Sequence, residues 1–150
     1  MAMLVFALVS ASLAVAQTPT TRLTLGGFTG NVGNTTQANF DAGFRQSGSA
    51  TTYTVQITAA NTIRTTGVYI RADAATMGGG KPVSDCQWRR NDLGTWNPLT
   101  TSDVLVESRV IQTNGTSWNN SIWFRCSLDW ATDLPRAYSV GVTITLQVTP

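Results

Sequence analysis

From Tyr138 to Val148 the chain alternates without a break: Tyr138, Val140, Val142, Ile144, Leu146 and Val148 are apolar, and Ser139, Gly141, Thr143, Thr145 and Gln147 fill the gaps. A repeat of two residues sends successive side chains to opposite faces, so this stretch predicts a long strand with one face in a core and the other in water. Shorter segments carry the same pattern. Leu23 and Leu25 flank Thr24; Tyr53, Val55, Ile57 and Ala59 alternate with Thr54, Gln56 and Thr58; Val68, Ile70 and Ala72 alternate with Tyr69 and Arg71. A further strand is expected from Val104 to Ile111, and Asn114-Gly115 after it is a turn dipeptide. Polar, glycine-bearing stretches at 30–39 and 78–80 separate the strands. No amphipathic helical pattern of useful length follows residue 17. Seven to nine strands without a repeat or linker predict an all-β fold, an antiparallel β-sandwich over residues 17–150.

The first sixteen residues are of another kind. They contain no charged side chain, only Ser10 and Ser12 are polar, and they close on Ala14-Val15-Ala16, a small-x-small site of the sort signal peptidases read. The basic residues that usually precede a leader's apolar run are missing, which leaves two readings for 1–16: a cleaved leader or a membrane anchor. As a short apolar helix the segment would span roughly 24 Å, somewhat less than a hydrocarbon core of about 30 Å. Both readings place the domain outside the cytoplasm.

Cysteine position agrees with export. In the run from Ile122 to Trp130, Ile122, Phe124, Cys126, Leu128 and Trp130 share one face, and in Asp85-Cys86-Gln87-Trp88 the cysteine shares a face with Trp88. Two inward cysteines in an exported chain most simply form one disulfide, Cys86 to Cys126, clamping the sandwich. Closing a loop of about 41 residues contributes roughly 4 kcal/mol in the chain-entropy model.

Chemistry is constrained by what the composition lacks. The 150 residues include no histidine, which removes Ser-His and Cys-His nucleophile pairs and the usual zinc and haem ligand sets. Carboxylates remain for acid-base work, but Asp129 faces outward by alternation and Asp133 sits in the following turn, where aspartate is common. Gly78-Gly79-Gly80-Lys81-Pro82 lacks the spacing of a phosphate loop, and Pro82 stands where a magnesium-binding hydroxyl is needed, so it reads as a loop tip. The expectation is a non-enzyme without cofactor or metal. Net charge is 10 − 8 = +2, and only Arg89 and Arg90 among the basic residues are adjacent, which gives no footprint for nucleic acid.

The five tryptophans divide. Trp88 and Trp130 fall on inward faces and are expected in the core beside the disulfide. Trp123 points outward, and Trp96 and Trp118 lie in turn-rich stretches; with Arg89 and Arg90 they form the candidate interaction surface. Exposed tryptophan implies a cover: a protein partner, a sugar ring, a lipid interface, or the chain's own loops folded back.

Four blocks, Asn39 to Gly43, Ile70 to Met77, Lys81 to Trp88 and Trp130 to Tyr138, together resemble a loose set of bacterial secreted immunoglobulin-like β-sandwich proteins similar to fimbrial and spore-coat-type subunits. The resemblance implies a sandwich outside the cytoplasm, no catalytic residues to carry over, and a corner role for Tyr138, its hydroxyl tying the preceding turn to the last strand. Three functions follow as expectations. First is a structural accessory subunit docked on a larger membrane protein assembly, such as a respiratory or photosynthetic complex, with possible lipid contact by residues 1–16. Second is a fimbrial or extracellular-matrix subunit polymerising by strand donation. Third is a carbohydrate-binding or adhesive module using Trp96, Trp118 or Trp123.

Overall fold

The computed structural model describes residues 20–26, 34–58, 63–111 and 115–149. The expected helix and leader or anchor at 1–16 lie outside these residues. Among those described, no helix is long and apolar enough to cross a membrane. The described residues form nine strands in chain order: β1 (Thr20–Gly26), β2 (Phe44–Gln46), β3 (Thr51–Thr58), β4 (Arg64–Ala72), β5 (Cys86–Arg90), β6 (Asn97–Pro98), β7 (Val104–Ile111), β8 (Thr116–Ser127) and β9 (Val142–Thr149). A single turn-and-a-half of helix, α1 (Gln37–Asp41), precedes β2.

The strands form an all-β antiparallel sandwich. A six-stranded sheet runs β1-β3-β8-β5-β6, with β2 also on β8, and a three-stranded sheet runs β7-β4-β9. β8 is the spine of the larger sheet because, at twelve residues, it is long enough to pair β3 with its first half, β2 with its end and β5 along its other edge. Alternation decides what enters the core. Tyr53, Val55 and Ile57 of β3 and Ile122 and Phe124 of β8 meet Val68 and Ile70 of β4 and Ile144 of β9.

Four local departures from the sequence reading have physical causes. The last strand begins at Val142 rather than Tyr138. Backbone groups just before it are taken by the 73–80 loop: Gly78 N–H donates to the Ser139 carbonyl and Asp73 N–H to the Gly141 carbonyl. The Tyr138 hydroxyl, for its part, accepts from Leu134 N–H and donates to the Leu134 carbonyl, both at 2.9 Å, which is the corner geometry.

Trp130 is not a core residue. β8 ends at Ser127, and Thr132 N–H and Asp133 N–H both donate to the Asp129 carbonyl, so the chain coils and the alternation that would aim Trp130 inward is broken. Its side chain is 54% exposed, leaning on Phe40 with ring centroids 4.5 Å apart. Trp118 errs the other way. β8 begins at Thr116, which gives Trp118 the same parity as Ile122, Phe124 and Cys126, and it is buried between the sheets.

The disulfide joins Cys86 to Cys126, but those residues are directly opposite each other on β5 and β8 of one sheet. It staples neighbouring strands and does not clamp sheet to sheet. That task falls to Glu107. Between Val68 and Tyr69 the β4–β7 register slips, so that Val68 faces Glu107 and Tyr69 faces Leu105 with Val106 left over. This bulge turns both Val106 and Glu107 inward, a re-aiming that an unbroken strand could not give.

Candidate interaction face

With Cys86 and Trp88 of β5 inside, Gln87 and Arg89 lie outside; with the even residues of β8 inside, Trp123 and Arg125 lie outside. Antiparallel register sets Arg89 opposite Trp123 and Gln87 opposite Arg125, while β2 brings Phe44 to the same end of β8. Trp96, just before β6, folds over this face. The Arg125 guanidinium carbon lies 4.4 Å and that of Arg89 5.0 Å from the Trp96 ring centroid, and Arg125 also lies 5.9 Å from the Phe44 ring. The result is a row of two guanidiniums and three aromatic rings on the outer face of the larger sheet. Arg125 Nε donates to Gln87 Oε1 at 2.7 Å and Trp123 Nε1 to Asn91 Oδ1 at 3.1 Å. Among the described residues neither Arg89 nor Arg125 is within ion-pair distance of a carboxylate. The Arg89 Nε is buried and has no hydrogen-bond partner among the described residues.

Three of the five residues expected at an interaction surface, Trp96, Trp123 and Arg89, therefore meet here. The other two do not. Arg90 shares the parity of Cys86 and Trp88 and so turns inward, where it pairs with Glu107 at 3.1 Å and, at the rim, with Asp92. Trp118 donates its indole N–H to the other oxygen of Glu107. Arg125 and Phe44 were missed. Arg125 was legible as the residue two beyond Trp123 on the same strand, whereas Phe44 reaches the face only through the pairing of β2 with β8.

Two further polar groups are structural. The Glu107 carboxylate, 4% exposed, is held by Arg90 and Trp118 and approached by Arg109 at 3.5 Å. Tyr53 sits beside it, and burial, followed by its interaction with the Glu107 carboxylate, pushes its phenol far above the ordinary tyrosine range. At the opposite corner, Lys81 is not at an exposed loop tip. Its side chain is 5% exposed and its ammonium donates to Asp85 at 2.8 Å and to both oxygens of Asp133 at 2.7 and 2.8 Å. Burial alone would lower the Lys81 pKa, but the hydrogen bonds to Asp133 and Asp85 outweigh it and the pKa is raised. A cleft of about 320 Å³ opens beside this group. Lys81, Asp85 and Asp133 on its wall are engaged with one another, and Arg136 and Tyr138 also line it.

No protein-family model, no curated protein and no solved structure matches the chain.

Proposed function

We propose that the chain is a non-catalytic structural or accessory subunit, an extracytoplasmic β-sandwich that docks on a larger membrane-associated protein assembly through the outer face of its six-stranded sheet. The observation that supports this reading is the row Arg89, Trp96, Arg125 and Phe44 with Trp123 beside it. Aromatic and arginine side chains fixed on a rigid sheet match the composition of interface hot spots and give an ordered platform at little entropic cost. The reading is tested by co-purification with native envelope membranes. Trp123→Ser combined with Arg89→Glu should abolish recovery of the protein with its assembly; unchanged recovery overturns it.

A fimbrial role is favoured by a different observation. Among the described strands β9 pairs only with β4, so its other edge offers unpaired backbone groups for a strand from another subunit. Fibres seen by electron microscopy at high protein concentration would support it, and a strict monomer would exclude it. The carbohydrate reading is less well served, because two guanidiniums lie over the Trp96 ring that a sugar would have to stack on.

A further inference from the structure

We infer that the surface received by this face is acidic polypeptide, its carboxylates seated on the forks of Arg89 and Arg125. This inference rests on the docking reading above and names the chemistry of the partner. A guanidinium stacked on an aromatic ring keeps its N–H groups directed outward in its own plane, parallel to the ring, the arrangement that receives a carboxylate through two parallel hydrogen bonds. Arg125 spends Nε on Gln87, which leaves its two terminal nitrogens, and the Arg89 Nε is buried, so for both arginines the terminal nitrogens form the fork.

Four of the molecule's eight acids are engaged with other cations. Glu107 and Asp92 neutralise Arg90, and Asp85 and Asp133 neutralise Lys81. Among the described residues these two positive charges thus stand on one face without a paired carboxylate, held in place by stacking and not by an ion pair that a partner would have to break. An acidic polysaccharide offers carboxylates too, and would gain in addition from open aromatic faces on which to lay its sugar rings. Here the guanidiniums lie over Trp96, and the Trp123 indole N–H is tied to Asn91. A polypeptide needs only the forks and the ring edges.

The test uses the full chain, isotopically labelled, titrated with a synthetic oligoglutamate peptide, an oligoglutamine peptide of equal length and polygalacturonate. Oligoglutamate should shift the amides of Arg89, Trp96, Trp123 and Arg125, and binding should weaken about tenfold or more when salt rises from about 0.05 to 0.5 M, because exposed charges are screened. Arg89→Gln with Arg125→Gln should remove the binding, and Arg89→Lys with Arg125→Lys should restore only part of it, since a lysine keeps the charge but loses the fork. Oligoglutamine should not bind. Oligoglutamate binding that survives the glutamine pair, or tighter binding of polygalacturonate at the same amides, overturns the inference. Membrane co-purification separates the two levels. If the glutamine pair still co-purifies and Trp123→Ser does not, docking stands and its acidic chemistry falls; if both co-purify as before, docking falls as well.

Discussion

Trp118 and Glu107 belong to opposite sheets, and the indole N–H of the first is donated to the carboxylate of the second inside the sandwich. Arg90 supplies the counter-charge to the other carboxylate oxygen, so one side chain of the three-stranded sheet is held by two from the six-stranded sheet. Burying a charge is costly unless its partners are present, and removing one partner leaves the rest stranded. Glu107→Ala should therefore destabilise the protein by about 3–5 kcal/mol in urea unfolding, with Glu107→Gln intermediate. A loss under about 1 kcal/mol for the alanine variant would show that the carboxylate does not hold the sheets together.

The two tryptophans whose places are exchanged relative to the sequence reading should respond in opposite ways. Trp118→Ala opens a buried void and frees Glu107, and should cost about 3–5 kcal/mol. Trp130→Ala removes an exposed ring that touches Phe40 and donates to Asp41, and should cost about 1 kcal/mol. Equal costs in chemical denaturation would contradict the burial difference.

Alkaline pH should unfold this protein through two groups. Tyr53 and Lys81 both have raised pKa values in the fold, the first from burial and then its interaction with the Glu107 carboxylate, the second because its aspartate hydrogen bonds overcome burial. A raised folded pKa gives stability that is complete below the unfolded values, about 10 for tyrosine and about 10.4 for lysine, and is lost as pH rises through the folded ones. Melting temperature should accordingly fall above about pH 10. Tyr53→Phe should flatten that fall, because it removes the ionisable hydroxyl buried beside Glu107. An unchanged alkaline slope in Tyr53→Phe would remove Tyr53 from this account.

Loss of the disulfide should be felt locally. Cys86→Ala with Cys126→Ala should lower unfolding free energy by about 2–5 kcal/mol. Because the bond links adjacent strands of one sheet, amide exchange should rise first in β5 and β6, with β4 and β9 keeping their protection up to global unfolding. Early exchange in β4 and β9 would mean that the bond stabilises the packing of the two sheets.

Much of the architecture can be read along the chain because a strand's parity is a local property. Tyr53, Val55 and Ile57 point inward, as their alternation predicts, and so do Val68, Ile70, Cys86, Trp88 and Cys126. Even Arg90 and Trp118 obey parity: each shares it with residues already assigned to the core, and each escapes notice because an arginine beside a second arginine, or a tryptophan among asparagines and serines, reads as surface. The Tyr138 corner is equally local, since donor and acceptor lie four residues apart.

Other features exist only once distant segments meet. The slip that turns Glu107 inward is a relation between β4 and β7, and nothing in Val106-Glu107 announces it. Lys81 is buried because Asp133, far along the chain, closes on it; a glycine-rich loop followed by lysine otherwise belongs in water. The outer row needs β2, β5 and β8 side by side before Phe44, Arg89, Trp96 and Arg125 touch. The sequence by itself determined which face of each strand is dry, through the two-residue repeat of extended backbone. The tertiary structure decided which charges are neutralised and which stand free, because ion pairing depends on distances between strands that local alternation does not set.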